Sequence, residues 1–294
     1  MAVNTFISNK WQDYQIIDAG NGEKLERWGQ VTVVRPDPQI IWPRTQPDAL
    51  WQQCHIYYHR SKSGGGSWEH KKKVPKQWTI AYKGLLNFNI KPTDFKHMGL
   101  FPEQAANWDW TAGLIKGAGR KIRVLNLFGY TGGATVSCLH AGADVTHVDA
   151  AKGMNQWAKD NIKTSGLEGQ NCRVYTDDVY KFVQREQRRG SFYDGIILDP
   201  PSYGRGPHGE VWKLENKLYE LVKHCTAILS DNPLFMLLNT YTTGFTATAA
   251  ENVLRLALKQ KGQPGGSIVS ASLGLPISES GLILPCGISV RWSP

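Results

Sequence analysis

Short apolar runs alternate with longer amphipathic segments from Lys121 onward. The runs have the length of buried strands, and the longer segments repeat apolar positions at helical spacing. The predicted strands are 122–128, 145–148, 173–176, 195–198 and 234–238, with helices at 134–141, 153–164, 179–188, 215–229 and 247–261. Two strand-like runs, 267–273 and 282–292, follow with no helix between them. Since a right-handed crossover between parallel strands needs a helix, the pattern predicts an α/β fold: a doubly wound, mostly parallel seven-stranded sheet with an antiparallel C-terminal hairpin.

The first ninety residues have a different pattern. Proline-containing connectors separate short β-rich runs, and Lys83-Gly84 has the composition of a hairpin turn. These runs are 30–34, 54–59, 78–82 and 85–90. We therefore predict a small β-rich N-terminal domain over residues 1–90, with a possible role in contacting substrate, and a second domain over residues 91–294.

Composition excludes several classes of protein. With 294 residues, 41% hydrophobic and 20% charged, the chain has the character of an ordinary globular protein. No run approaches the roughly 18 apolar residues of a membrane helix, and residues 1–10 lack the apolar core of a signal peptide. We therefore expect a cytoplasmic protein with no membrane contact. Five scattered cysteines without a Cys-x-x-Cys pair argue against both a disulfide framework and a metal site.

The balance of charge points to a polyanionic partner. The formal net charge is +9, which fits nucleic acid. Six cations lie between Arg60 and Lys76, against the single acid Glu69, and three glycines at 64–66 interrupt regular structure there. In one interpretation this stretch contacts phosphates and Trp68 stacks on a base. In the other it is a solvated loop with a buried tryptophan, and the sequence does not separate the two.

A glycine-rich turn and three acids follow the first four predicted strands. The turn, Phe128 to Gly133, has neither the G-x-G-x-x-G spacing of dinucleotide sites nor a P-loop ending. Asp149 ends the second strand, Asp178 follows the third, and Asp199 ends the fourth. Each acid alone is more often a helix cap or a surface residue. Together, at the carboxyl ends of neighbouring strands, they suggest a nucleoside ligand without phosphates, as S-adenosylmethionine is.

The motif Asp199-Pro200-Pro201 ends a buried apolar strand abruptly. Proline has no N–H group and disfavours helix in the residue before it, so the chain leaves the sheet in an extended conformation. A carboxylate and several carbonyls are thereby held at the edge of the sheet where ligands bind in open α/β folds. The alternative is a plain corner between strand and loop.

These motifs resemble those of class I S-adenosylmethionine-dependent methyltransferases with a Rossmann-like sheet. The likeness rests on the run 124–133, on Asp149, on Thr176-Asp177-Asp178-Val179 and on Asp199-Pro200-Pro201-Ser202. Within the family, the chain is most similar to bacterial 23S ribosomal RNA large-subunit methyltransferases of the cytosine-5 and guanine-N2 type. Residues 98–104 resemble the Gly-Phe-Phe-x-x-Gln segment of those enzymes. The resemblance covers about residues 90 to 245 and implies ribosomal RNA as the substrate.

The resemblance also implies a role for each matched residue. The methionine part of S-adenosylmethionine would be held by the backbone around Asn126, Phe128, Gly129 and Gly132. Asp149 would bind the ribose, Asp178 and Val179 would flank the adenine, and Phe101 and Gln104 would cover the cofactor. Asp199, which also belongs to the cofactor set, would face the methyl group and the acceptor together with Pro200 and Pro201.

The acceptor atom is predicted from the same motif. Asp-Pro-Pro resembles the Asn/Asp-Pro-Pro-aromatic element with which amino methyltransferases hold an exocyclic amine. Ser202 stands at the aromatic position, so we assign the aromatic role to Tyr203, one residue later. Methylation at cytosine C5 needs a cysteine nucleophile instead. The loop 239–245 contains none, and we interpret Cys286 in the last hairpin as a structural residue rather than the nucleophile. Nitrogen is therefore the favoured acceptor.

Three alternatives to methylation of a ribosomal RNA amine stay open. They are a cytosine-C5 RNA methyltransferase, a methyltransferase acting on a protein or a small molecule, and an RNA-binding module without catalysis. The loop after the proline pair carries Arg205, His208 and Lys213. Its position predicts that it borders the substrate or closes over it, although such loops are often plain connectors.

Overall fold

The computed structural model describes residues 5–61, 65–205, 211–263 and 265–294. Contacts within the chain divide these residues into two compact units. The larger unit consists of the described parts of residues 1–6, 107–273 and 286–294, and the smaller unit of those of residues 7–106 and 274–285. The sequence boundary predicted at residue 90 falls within the smaller unit. Whether either unit folds as an independent domain stays a prediction.

The N-terminal part of the chain is mostly β-structure, as its sequence pattern predicts. Its strands are β1 (Thr5–Ile7), β2 (Tyr14–Gly20), β3 (Glu23–Trp28), β4 (Val31–Pro36), β5 (Ile56–Arg60), β6 (Gly66–His70), β7 (Trp78–Tyr82) and β8 (Leu86–Ile90). One short helix, α1 (Asp48–Gln52), interrupts them, and a 3₁₀ turn (Pro102–Gln104) leads into α2 (Ala105–Gly117).

The rest of the chain alternates strand and helix. The strands are β9 (Arg123–Leu127), β10 (Asp144–Asp149), β11 (Cys172–Thr176), β12 (Gly195–Leu198), β13 (Tyr203–Arg205), β14 (Val211–Lys213), β15 (Phe235–Thr240), β16 (Ser267–Pro276) and β17 (Ile283–Ser293). The helices are α3 (Gly133–His140), α4 (Lys152–Thr164), α5 (Val179–Arg189), α6 (Leu214–Ala227) and α7 (Ala247–Gln260).

One eight-stranded sheet confirms the predicted fold class. Its strand order is β1-β16-β17-β15-β12-β9-β10-β11, so the seven predicted strands are present and the short β1 is added at one edge. β9 pairs in parallel with both β10 and β12, and β17 pairs antiparallel with β15. The strand order reverses direction at β9 and β12, because the chain moves outward from β9 to β10 and β11 and then returns to β12. In open parallel sheets the crevice at such a switch point is where ligands bind.

The main core of the larger unit lies between this sheet and α5, α6 and α7. Leu125, Val148, Phe182, Leu221 and Leu254 represent a cluster of fully buried apolar side chains from both layers. Burial of a Leu, Val or Phe side chain contributes roughly 1.5–3 kcal/mol each. This packing fixes β9, β10 and β12 relative to one another, and with them the loops at their carboxyl ends.

The smaller unit contains a five-stranded sheet in the order β2-β3-β4-β5-β6 and the hairpin β7-β8. The turn of that hairpin is confirmed, because Lys83 and Gly84 have φ values of 54° and 65°, which is the left-handed pair of a tight hairpin turn. The parallel pairing of β4 with β5 requires a connection across the sheet, and α1 lies in that connection.

A buried ion pair lies inside the smaller unit. Glu26, which is fully buried, accepts hydrogen bonds from Arg35 Nε at 2.6 Å and Nη2 at 2.8 Å, and from the Tyr14 hydroxyl at 2.7 Å. Burial alone would raise the pKa of Glu26. The charges of Arg35 and Lys24 and these hydrogen bonds outweigh it and lower the pKa from 4.5 to about 2. Glu26 is therefore ionised throughout the physiological range.

Glu26→Gln is expected to lower the free energy of unfolding by about 3–5 kcal/mol at pH 7, because it leaves the Arg35 guanidinium buried without its counterion. Because the pKa of Glu26 is lower in the folded protein than in the unfolded chain, the free energy of unfolding decreases as the pH falls. The stabilisation is complete above about pH 4.5 and is lost as the pH falls toward 2. Urea unfolding followed by tryptophan fluorescence at pH 7 and pH 2.5 measures both effects.

Asp48→Asn is the matched control, since Asp48 is the exposed partner of Arg44 in an ion pair of the same unit. Its effect should stay below about 1 kcal/mol. Equal losses in the two variants would show that the buried pair contributes no more than the exposed one.

Two features are absent from the described residues. No helix among them is long and apolar enough to cross a membrane. No group of three or more His, Cys, Asp or Glu side chains in the same residues is arranged to hold a metal ion.

Candidate functional site

The turn between β9 and α3, residues 128–133, is the centre of the candidate site, and we call it the glycine loop. Phe128 and Tyr130 have φ values of 56° and 50°, a left-handed conformation that costs roughly 1–2 kcal/mol in a residue with a Cβ atom. Gly132 has a φ of 84° and is the N-cap of α3. Strained backbone of this kind concentrates at ligand sites, where the surrounding structure holds it in place.

Contacts from neighbouring elements hold the glycine loop in that conformation. The Gly129 N–H donates to the carbonyl of Val148 at 3.0 Å, and the Tyr130 N–H donates to Asp149 Oδ2 at 2.9 Å. On the other side, Asn161 Nδ2 on α4 donates to the carbonyl of Thr131 at 2.8 Å. The loop is therefore bound to both β10 and α4.

The ring of His147 lies directly beneath Gly129. A Cβ atom added to Gly129 would lie 2.3 Å from His147 Cε1, 2.5 Å from Nδ1 and 2.9 Å from Nε2. Contacts below 3.0 Å are not seen for real Cβ atoms, so only glycine fits without displacing the ring. Gly132 is similarly close to α4, because its Cβ would lie 2.9 Å from the Cβ of Ala158. The two predicted glycines are thus required by packing.

His147 belongs to a buried polar chain that the sequence did not reveal. Asn126 Nδ2 donates to Thr135 Oγ1 at 2.9 Å, and that hydroxyl lies 2.8 Å from His147 Nδ1. Desolvation lowers the pKa of His147 to about 4, against an opposing effect of the Asn155 side chain, so the ring is neutral at pH 7. His147 Nε2 and Asn155 Oδ1 are both buried, and neither makes a hydrogen bond of ordinary geometry with a described residue.

Asn155 makes a second set of hydrogen bonds, which reaches the third strand. Its Nδ2 donates to the carbonyl of Asp149 at 2.9 Å and to Thr176 Oγ1 at 2.8 Å. Together the two sets of hydrogen bonds connect β9 with β10 and β10 with β11 beneath the glycine loop. The side chain of Asn126 points into this network, and its predicted backbone contact with a cofactor stays a prediction.

Asp149 lies at the end of β10 next to the glycine loop. Its Oδ2 accepts the Tyr130 N–H, and its Oδ1 accepts the Ala151 N–H at 2.8 Å. Burial raises the pKa of Asp149, and these two N–H donors act against that shift. Each carboxylate oxygen can accept a further hydrogen bond, which suits a vicinal diol such as that of a ribose.

Asp178 and Val179 lie where the chain passes from β11 to α5. Asp178 is the N-cap of α5, and its Oδ1 accepts the Lys181 N–H at 2.9 Å. The side chain of Val179 is buried in the core. Their predicted positions beside an adenine therefore stay predictions, while the capping role of Asp178 is observed.

The proline pair lies at the end of β12 and leads into a short hairpin. The segment predicted to be a loop instead contains the paired strands β13 and β14, with Gly204 opposite Trp212. Trp212 Nε1 donates to the carbonyl of Pro201 at 2.6 Å, and its ring centroid lies 5.5 Å from that of Phe128. The half-buried Trp212, which sequence analysis missed, thus connects the proline pair with the glycine loop.

The neighbours of the proline pair define which groups a substrate can meet. Asp199 is partly buried, whereas Ser202 and Tyr203 are exposed. The Thr242 hydroxyl, in the loop after β15, donates to Ser202 Oγ at 2.7 Å. Ser202 therefore joins two loops of the site, and the exposed Tyr203 follows it. His208 lies outside the described residues.

Two predicted features belong to the smaller unit. Phe101 and Gln104 lie at the 3₁₀ turn, where the Pro102 carbonyl accepts from Ser8 Oγ at 2.8 Å and Trp11 Nε1 at 2.9 Å. Their predicted place over a cofactor stays a prediction. Trp68 of β6 donates from Nε1 to the carbonyl of Thr93 at 2.7 Å and packs against Tyr58. These contacts favour the buried-tryptophan interpretation of the basic segment.

The larger unit therefore places a strained glycine loop, the Asp149 carboxylate and the Asp199-Pro200-Pro201 corner at the carboxyl ends of three adjacent strands. Carboxylates able to accept hydroxyl and amino hydrogens fit a nucleoside. The arrangement has no P-loop lysine for a polyphosphate, in agreement with the absence of that motif from the sequence.

The chain is similar to known methyltransferases both in sequence and in fold. Residues 41–231 match a family model described as S-adenosylmethionine-dependent methyltransferase. The fold is similar to that of a SAM-dependent methyltransferase from Agrobacterium tumefaciens, with a TM-score of 0.94, 37% identity and coverage of 100% of this chain and 94% of that one. A methyltransferase described as SAM-dependent from Streptococcus mutans shows the same fold, with a TM-score of 0.74, 19% identity and coverage of 97% and 76%.

Curated relatives match over shorter stretches. Ribosomal RNA large subunit methyltransferase I of Klebsiella pneumoniae is 38% identical over 82 residues, which are 28% of this chain and 20% of that protein. Ribosomal RNA large subunit methyltransferase K/L of Syntrophotalea carbinolica is 30% identical over 145 residues, 49% of this chain and 19% of that one. The chain thus matches about a fifth of the length of these two relatives.

Proposed function

The chain belongs to the S-adenosylmethionine-dependent methyltransferase family, and we propose that it methylates an exocyclic amine of a base in ribosomal RNA. S-adenosylmethionine is the cofactor of this family, and it supplies an electrophilic methyl group when bound. The glycine loop and Asp149 would hold it, with Asp178 and Val179 near the adenine and Phe101 and Gln104 as further predicted contacts.

The observation that carries the choice of acceptor is the Asp199-Pro200-Pro201 corner beside the glycine loop. Methyl transfer mainly requires alignment of donor and acceptor and exclusion of water. An exocyclic amine is a poor nucleophile because its lone pair is delocalised into the ring. A carboxylate and a carbonyl that accept its two hydrogens favour a pyramidal nitrogen with an available lone pair.

The local hydrogen bonds indicate which acceptors would serve. The carbonyl of Pro201 already accepts from Trp212. We infer that the carboxylate of Asp199 and the carbonyl of Pro200 accept the amine hydrogens. A base extruded from its stack needs an aromatic partner, and we assign that role to Tyr203, which is 50% exposed and follows the corner in sequence. Trp212 is the second aromatic candidate at the same place.

Ribosomal RNA is proposed on two grounds. The formal net charge of +9 suits a polyanion, and several relatives are named as ribosomal RNA large subunit methyltransferases. Cytosine C5 is the second acceptor to test. In the antiparallel pair of β15 and β17, Ile288 lies opposite Thr240, the last residue of β15. Cys286 is therefore two residues from the position opposite the end of β15, which leads into the site.

Methyl transfer from radiolabelled S-adenosylmethionine to ribosomal RNA of cells lacking this protein tests the proposal. Digestion and mass spectrometry of the labelled nucleosides identify the acceptor. A nucleoside methylated on an exocyclic amine, with full activity of Cys286→Ser, is the expected result. Label in 5-methylcytidine that disappears in Cys286→Ser would identify cytosine C5, and not an exocyclic amine, as the acceptor. Label confined to protein or small molecules would exclude RNA.

Asp149→Ala is expected to weaken binding of S-adenosylmethionine about tenfold to a hundredfold, since hydrogen bonds to a charged group contribute about 1.5–3 kcal/mol. The same change removes the acceptor that holds the Tyr130 N–H. Isothermal titration calorimetry measures the affinity. Asp160→Ala, which removes an exposed carboxylate of α4, serves as the control. An Asp149 variant that binds as tightly as this control would rule out the ribose-binding role.

A further inference from the structure

A polar cleft of about 370 Å³ lies in the larger unit, at the end of the sheet opposite to the candidate site. We call it the arginine cleft, and define it by Arg123, Asp144, Arg173, Tyr175, Glu186 and Arg189. Arg123 begins β9, Asp144 begins β10, and Arg173 is the second residue of β11. The strands have five or six residues, so this end is about 15 Å from their carboxyl ends.

The strand register explains why a cleft exists there. Arg123 pairs with Asp144, and Thr146 pairs with Arg173, so these side chains share one face of the sheet with the buried Leu125. The core under α5 reaches only the carboxyl halves of β9 and β10, through Leu125 and Val148. A parallel sheet is normally apolar on both faces. Here the amino-terminal halves of β9, β10 and β11 carry polar and charged residues on this face instead. The last turn of α5 borders the arginine cleft.

The acids of the cleft are already paired. Glu186 accepts from Arg189 Nη1 at 3.2 Å and from the Tyr193 hydroxyl at 2.8 Å. Asp144 lies 2.9 Å from Lys121 Nζ. Arg123 and Arg173 make no ion pair within the described part of the chain, and both are exposed. Arg123 instead stacks against the Tyr193 ring, 5.3 Å from its centroid. The cleft therefore presents two guanidinium groups whose charge is not balanced locally.

We propose that the arginine cleft binds a phosphate group of the RNA backbone, so that the catalytic unit holds its substrate at both ends of the sheet. Guanidinium forks match phosphate oxygens in bidentate geometry. Tyr175, 37% exposed in the same cleft, offers a ring face on which a base can stack. The choice of RNA as the source of the phosphate rests on the function proposed above; the phosphate chemistry rests on the cleft alone.

Arg173→Gln and Arg123→Gln test this site, and Lys159→Gln is their matched control. Strand alternation puts Arg173 and Cys172 on opposite faces of β11, and Lys159 on α4 lies near Cys172. The control thus removes one exposed positive charge at the same sheet edge, on the other face. Arg173 is the cleaner position because Arg123 also packs on Tyr193, and thermal melting of each variant verifies folding.

The probe is a fluorescein-labelled 20-nucleotide RNA of mixed sequence, with affinity measured by fluorescence anisotropy between 50 and 300 mM KCl. Each arginine variant is expected to weaken binding about threefold to tenfold. It should also reduce the slope of log affinity against log salt by about 0.7, the value for one phosphate contact on a single strand. Lys159→Gln should change the affinity less than twofold. Arginine variants that behave like this control overturn the proposal.

Competition with inorganic phosphate separates the two sources of the anion. Displacement of the RNA from the wild type by millimolar phosphate, without any effect in the Arg123→Gln/Arg173→Gln double variant, supports a backbone contact. Phosphate binding that depends on the arginines while RNA binding does not would identify a site for free anions and overturn the RNA assignment. Arginine-dependent RNA binding without methylation of any RNA would leave the cleft intact and refute the proposed function.

Discussion

Replacing Asp199 by alanine is expected to lower kcat for methyl transfer about a hundredfold or more, with a smaller effect on the affinity for S-adenosylmethionine. Loss of one preorganised polar group at a reacting centre has an effect of that size in other enzymes. The physical reason is local. The carboxylate leaves β12 at a corner where two prolines restrict the backbone, so the chain cannot easily rearrange there to supply another acceptor for the amine hydrogen.

Asp199→Asn separates this role from a purely structural one. The amide keeps one oxygen acceptor in the same position, so it should retain more activity than Asp199→Ala. Single-turnover kinetics with saturating S-adenosylmethionine, together with calorimetry, measure both quantities. Asp231→Ala, an exposed carboxylate before β15, is the control. An Asp199→Ala variant that loses cofactor affinity but keeps kcat would refute the acceptor role and leave Asp199 as a cofactor ligand.

Gly129→Ala is expected to weaken binding of S-adenosylmethionine by more than tenfold and to destabilise the protein by about 1–3 kcal/mol. The added methyl group would lie 2.3 Å from Cε1 of the fully buried His147 ring. Overpacking of a dense interior has a cost of that order. The ring cannot move aside without breaking its contact with Thr135, so the strained glycine loop must shift instead.

A double variant makes this prediction specific. His147→Ala removes the ring, so Gly129→Ala in that background should add little further loss in affinity. Gly153→Ala is the control, because a Cβ at that position in α4 meets nothing within 4 Å. Calorimetry and urea unfolding of the wild type, the two single variants and the double variant complete the double-mutant cycle. Fully additive losses from Gly129→Ala and His147→Ala would show that their contact does not shape the loop.

The elements of the larger unit were predictable because local pattern and tertiary environment agree there. The predicted strand 195–198 is β12 as observed, and the predicted helix 179–188 differs from α5 by one residue. Each is apolar where the core lies, and Gly190 ends α5 with a φ of 63°. The acids at strand ends were also recognisable, since the carboxyl ends of parallel strands necessarily meet at one edge.

The parts that sequence analysis missed depend on contacts between distant positions. Thr135, His147 and Asn155 come together beneath the glycine loop only because β10 aligns beside β9 and packs against α3 and α4. A single buried histidine in a strand carries no sign of that role. Trp212 was overlooked because the glycine- and proline-rich stretch before it has the composition of a connector. The arginine cleft depends on where α5 stops covering the sheet, which no local pattern specifies.

The division of the chain into units has a consequence for synthesis. Each unit is assembled from separate stretches, since residues 274–285 belong to the smaller unit and residues 286–294 return to the larger one. Domains usually fold one after another as the chain leaves the ribosome, N-terminal first. Here residues 7–106 still lack the segment 274–285, which is translated much later. Both units can therefore reach their complete set of contacts only after residues 274–294 have left the ribosome.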